Sequence, residues 1–144
     1  MIAVDTNVLV HAHRKDSPFH ERAFAVLRDL AEGMAPWAIP WSCLHEFYAK
    51  VTHPRVFDPP STVDKAIDQV GAWCASPSLV VLGERPDHLA RLGSLLKRAH
   101  VVGPMVHDAR IAAICLSHGV SELLTADRDF ARFPALKTRN PLIE

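Results

Sequence analysis

A chain of 144 residues with 49% hydrophobic and 22% charged side chains has the size and composition of one folded domain, which excludes a disordered chain and argues against several cores. Its 16 Lys and Arg offset its 16 Asp and Glu, so no overall field draws it to nucleic acid or membrane, and an anionic partner must be held locally. No apolar run approaches the length of a membrane span, and Met1-Ile-Ala-Val-Asp5 lacks the regions of a secretory leader, so a cytoplasmic protein without a membrane partner is expected.

Ile2-Ala-Val4 reads as a short buried strand cut off by Asp5-Thr6-Asn7, residue types that favour turns and caps. From His20 to Ala31 the apolar positions Ala23, Val26, Leu27, Leu30 and Ala31 keep helical spacing, and Gly33 closes the segment. Ala38-Ile39-Pro40 is a second short strand, after which Ser42 is placed to cap a helix carrying Leu44, Phe47, Tyr48 and Val51, with Glu46 inside it. A Pro-rich loop from Pro54 to Pro60 follows, and Ser61 or Thr62 caps a helix through Val63, Ala66, Ile67, Val70 and Trp73. Leu79-Val-Val-Leu82 has the continuous apolar character of a parallel strand covered on both faces. Leu89, Leu92, Leu96 and Ala99 mark another helix. Between His107 and Gly119 the run Ile111 to Leu116 is apolar all round, the pattern of a buried helix, with Asp108 in its first turn. Glu122-Leu-Leu-Thr125 is the last clear strand, and Lys137-Thr138 is placed for one more. Strands alternating with helices imply an α/β fold with a mostly parallel sheet flanked by helices. Cys43, Cys74 and Cys115 are widely spaced in largely apolar stretches, as suits reduced core thiols.

Asp5 follows the first strand, Asp127 follows the last clear one, and Asp108 opens the most buried helix. The carboxyl ends of parallel strands line one edge, where ligands bind. Glu46 and Asp129 are candidates to complete a cluster there. Each has an ordinary alternative: Asp5 and Asp127 as turn or cap residues, Asp108 as a charge complementing a helix dipole, Glu46 as a solvated helix residue, Asp129 as a partner of Arg128 or Arg132. Should they converge, their mutual repulsion calls for a hard divalent cation, Mg²⁺ or Mn²⁺, and the fitting chemistry is phosphoryl transfer.

Ile2-Ala-Val-Asp5-Thr6-Asn7-Val8-Leu9 resembles the opening motif of the PIN-domain nucleases. Ser42-Cys-Leu-His-Glu46-Phe resembles the second acidic motif of that family, His107-Asp108-Ala-Arg-Ile-Ala-Ala the third, and Leu124-Thr125-Ala-Asp127-Arg-Asp129-Phe130 the fourth, in order along nearly the whole chain. The compact size and the wording of the last two motifs are most similar to VapC toxins, the ribonuclease half of bacterial VapBC toxin-antitoxin pairs. Val51-Thr-His-Pro-Arg-Val-Phe57 is similar to a stretch found in a subset of them.

The resemblance implies one PIN domain over residues 1–144, acting as a Mg²⁺-dependent endoribonuclease for which Mn²⁺ can substitute. Asp5, Glu46, Asp108 and Asp127 would be its catalytic, metal-holding carboxylates, with Asp129 as a further ligand, and Thr6 and Thr125 as hydroxyls that orient them. Asp127 is favoured over Asp129 for the fourth position. The implied partners are an RNA substrate, a VapB-type antitoxin and a second copy of the chain. Arg14, Lys15, Lys50, Arg55, Arg110 and Arg128 are candidates for backbone contacts, and Trp37, Trp41 and Tyr48 for base stacking. A non-catalytic RNA-binding or partner-binding module of the same fold is the alternative. A haloacid-dehalogenase-type phosphatase would need a second Asp where Asn7 stands, and zinc binding would need a Cys-x-x-Cys or His-Glu-x-x-His that the chain lacks.

Overall fold

The computed structural model describes residues 1–143. Five strands form one parallel sheet: β1 (Ile2–Val4), β2 (Trp37–Pro40), β3 (Leu79–Leu82), β4 (Glu122–Leu124) and β5 (Thr138–Arg139), in the order β3-β2-β1-β4-β5. Six α-helices flank it: α1 (Thr6–His13), α2 (His20–Glu32), α3 (Trp41–Val51), α4 (Val63–Cys74), α5 (His88–Arg98) and α6 (Val106–Ser117). Strand order reverses at the centre. From β1 the chain steps outward to β2 and β3, then returns to lay β4 on the other side of β1, which opens a crevice beyond the carboxyl ends of these strands.

The core lies between the sheet and its helices, with Trp37, Phe47, Phe130, Phe133, Ile39 and Leu9 among its largest fully buried side chains. The α/β reading and most element positions stand, with four corrections. The segment after Asp5 is no mere turn but the helix α1, capped by Asp5; Thr6, Val8, Leu9, Val10 and Ala12 are all buried, so no polar face discloses its period. Ser42 does not cap α3, which starts directly after Pro40 and takes Ser42 into its first turn. β3 is parallel but is the sheet edge rather than a doubly covered strand, and Val80 is 44% exposed. Cys74 is exposed, unlike the buried Cys43 and Cys115. Of the two candidate caps for α4, Thr62 is the one that serves, accepting the Lys65 N–H.

α6 ends as its sequence suggests. Gly119 adopts φ +69°, and its N–H and that of Val120 close back onto the carbonyls of Leu116 and Cys115, a C-terminal turn that needs a residue tolerant of the left-handed region. Among the described residues no helix is long and apolar enough to cross a membrane.

Candidate active site

The crevice is built from the ends of three parallel strands. Asp5 leaves β1, its N–H bonded to the Leu124 carbonyl of β4 at 3.0 Å. Thr125 leaves β4, and Glu46 stands on α3, the helix that follows β2. Asp108 enters from the first turn of α6, and Asp127 and Asp129 sit on the 3₁₀ turn after β4.

Asp5 is the buried anchor, only 4% exposed. Its Oδ1 accepts the Thr6 N–H at 2.7 Å and the Cys43 thiol at 3.6 Å, and its Oδ2 accepts the Thr125 hydroxyl at 2.7 Å and the Asn7 amide at 3.0 Å. Burial raises its pKa and the Glu46 charge adds to this, against the lowering effect of the hydrogen bonds from Thr125, Thr6 and Cys43. Thr125 also accepts the Asp127 N–H at 3.0 Å and the Asn7 amide at 3.2 Å. It therefore ties the anchor of the first strand to the acidic turn after the fourth. Thr6 does the same on the other side, donating its hydroxyl to Glu46 Oε2 at 3.1 Å.

Asp108, Asp127 and Asp129 each offer an oxygen, all within 4.8 Å of one another. Burial pushes the Asp108 pKa up to about 6, and the charges of Asp127, Asp5, Glu46 and Asp129 push in the same direction. All five predicted carboxylates thus converge on one field centred at Asp108, while the tight trio excludes Asp5 and Glu46, which are held beside it by Thr125 and Thr6. Both Asp127 and Asp129 reach the trio; Asp127 Oδ1 also accepts the Asp129 N–H at 2.8 Å. Among the described residues no Lys or Arg forms an ion pair with a carboxylate of this cluster. An all-oxygen donor set of crowded carboxylates fits a hard divalent cation.

Two members of the site escape a reading by motif. Asn7 bridges two strand ends, those of β1 and β4: its amide reaches Asp5 and Thr125, and its carbonyl oxygen accepts the Ala126 N–H at 2.9 Å. Its place two residues after Asp5, inside the opening motif, is the signal that marks it. Cys43 carries none, because its role depends on α3 packing against α1.

Several predicted substrate contacts sort differently. Trp37 is fully buried, its indole N–H bonded to Ser76 Oγ, so it is core and no stacking surface. Trp41 is 47% exposed and lies beside His45. Arg14 is committed to Asp16, Ser61 and the Pro59 carbonyl and covers the Phe57 ring, which anchors the Val51–Phe57 stretch to the end of α1. Arg110 pairs with Glu84.

A fold of this topology with carboxylates gathered at its switch point defines a class, the PIN domain, whose family model matches residues 2–136. The chain is 37% identical to ribonuclease VapC43 of Mycobacterium tuberculosis over 99% of its own length and 96% of that relative, and 33% identical to ribonuclease VapC31 of the same species over 98% and 99%. It belongs to the PIN-domain family and, within it, to the VapC ribonucleases, metal-dependent hydrolases. Solved structures agree in fold: VapBC2 from Rickettsia felis bound to a DNA fragment from its promoter has a TM-score of 0.70 at 21% identity, covering 97% of this chain and 98% of that one. VapC20 of M. tuberculosis, a sarcin-ricin loop cleaving toxin, has a TM-score of 0.67 at 18% identity, covering 91% and 93%.

Proposed function

We propose that this protein, one PIN domain over its whole length, is the toxin of a VapBC-type pair and cuts cytoplasmic RNA as a Mg²⁺-dependent endoribonuclease. The observation that carries the reading is the uncompensated trio of Asp108, Asp127 and Asp129 within 4.8 Å, with the Asp108 pKa raised to about 6. Those three, joined by Asp5 and Glu46, would hold Mg²⁺, with Mn²⁺ as a substitute. Once bound, such a cation neutralises charge on the phosphate and makes a water more acidic.

The chain's own residues then have distinct tasks. Asp5, fixed by four donors, sets the position of the strand ends. Thr125 and Asn7 hold the turn that carries Asp127 and Asp129. Thr6 fixes Glu46 through Oε2, leaving Oε1 available as a proton acceptor for the attacking water. In-line hydrolysis leaves 5′-phosphate and 3′-hydroxyl ends and needs no ribose 2′-oxygen. A VapB-type antitoxin and a second copy of the chain are the proposed protein partners, in keeping with the VapBC complexes among its structural neighbours.

The test is incubation of purified, antitoxin-free protein with total bacterial RNA in Mg²⁺, in chelator, and as the Asp108→Asn variant, followed by mapping of the ends. Discrete cuts that need both metal and Asp108 and carry 5′-phosphates are expected. Ends bearing a 2′,3′-cyclic phosphate would contradict the mechanism, and RNA binding without cleavage would replace it with a non-catalytic binding module.

A further inference from the structure

Ser42 Oγ is buried without a hydrogen-bond partner within the protein, one of two such side-chain atoms among the described residues. Leaving a hydroxyl in this condition is unfavourable, because its hydration is lost and nothing in the fold replaces it. A serine inside a helix ordinarily avoids the cost by donating to the carbonyl four residues back; Ser42 makes no such bond to Ala38.

Its place in α3 says where the hydroxyl faces. At about 100° per residue, the buried Leu44, Phe47 and Val51 mark the core side of the helix. Ser42 lies opposite Val51, on the arc it shares with Glu46, one turn further on. Later residues on that outward side, Ala49 and Lys50, are exposed. Ser42 is nevertheless only 5% exposed. The next residue, Cys43, already bonds Asp5. An unpaired hydroxyl is thus buried one helical turn from Glu46, which Thr6 holds in the acidic site, and next in the chain to the residue that bonds Asp5.

We propose that Ser42 is a positioning residue, whose hydroxyl hydrogen-bonds a water of the hydration shell of the divalent cation that the acidic crevice holds. The assignment rests on the metal-dependent reading of the site. It accounts for a polar atom that the folded chain alone leaves unsatisfied, and it adds an acceptor for that water from α3, the helix that also supplies Glu46 and the Cys43 thiol.

The experiment is calorimetric titration of the full chain with Mn²⁺, paired with thermal unfolding in chelator, for the wild type and for Ser42→Ala, Ser42→Thr, Ser42→Val and Asp108→Asn. Loss of the hydroxyl in Ser42→Ala is expected to weaken Mn²⁺ binding about tenfold, the size usual for partners that support a metal site indirectly, without lowering the unfolding temperature in chelator. Ser42→Thr should bind as the wild type does, while the near-isosteric Ser42→Val should not, so a change in volume is separated from loss of the hydroxyl. Wild-type Mn²⁺ affinity in Ser42→Ala and Ser42→Val would overturn the proposal, as would equal weakening in Ser42→Thr and Ser42→Val. Asp108→Asn separates the two readings: retained Mn²⁺ binding in that variant would sink the acidic metal site itself, whereas its loss beside intact binding in Ser42→Ala would sink only the role of Ser42.

Discussion

The short strand β4 separates two carboxylate sites that the fold treats in opposite ways. At its start, Glu122 accepts from Arg139 at 2.9 Å and pairs with Lys137 at 3.2 Å. Burial pushes its pKa up, but the hydrogen bonds and charges of Arg139 and Lys137 prevail and leave it below the usual value. At the other end, Asp127 and Asp129 stand against Asp108 with no such ion pair among the described residues, and the Asp108 pKa rises to about 6. Compensated charge holds the sheet together, and uncompensated charge is tension held ready for a ligand.

Substitutions at the two ends should therefore differ in kind. Asp108→Asn should lower the cleavage rate at least about a hundredfold, since a lost ligand removes several kcal/mol of charge stabilisation, yet raise the unfolding temperature in chelator by relieving repulsion. An inactive variant that is also less stable in chelator would break the contrast. Asn7→Ala removes one donor to Asp5 and the acceptor of the Ala126 N–H; activity is expected to fall about 10-fold to 100-fold with a matching loss of Mn²⁺ affinity. Glu122→Gln should cost about 1 kcal/mol in denaturant unfolding and leave cleavage unchanged.

Proton linkage sharpens the comparison further. Because the folded chain raises the Asp108 pKa, it binds that proton more tightly than the unfolded chain between about 4 and about 6. Metal-free protein should thus gain stability from Asp108 as pH falls from 7 through 6, and the gain should vanish in Asp108→Asn. Glu122 has a lowered pKa, so its contribution is present above about 4.5 and lost as pH falls through the lower folded value. Unfolding curves in chelator against pH, for wild type, Asp108→Asn and Glu122→Gln, resolve the two.

Much of this was legible in the sequence where local chemistry and global placement agree. β4 and α6 announce themselves through apolar runs and a breaker glycine, and the acids that flank them fall at the expected edge. What stayed hidden depends on contacts between distant segments. α1 has no polar face to reveal its period. The edge position of β3 follows from strand order, which an apolar run of four residues does not encode. Asn7 acts through Thr125, 118 residues away, and Cys43 through Asp5, 38 residues away, and Ser42 looks like a cap until the helix is seen to start directly after Pro40.

The proposed activity requires the acidic crevice to hold a divalent cation. The most direct measurement is thermal unfolding of the wild type and Asp108→Asn at pH 7, in chelator and in saturating Mn²⁺. At a hundred times its dissociation constant a bound ion stabilises the folded state by about 2.7 kcal/mol, so a rise of several degrees is expected for the wild type alone. An unfolding temperature indifferent to Mn²⁺ in the wild type, or an equal rise in Asp108→Asn, would contradict it.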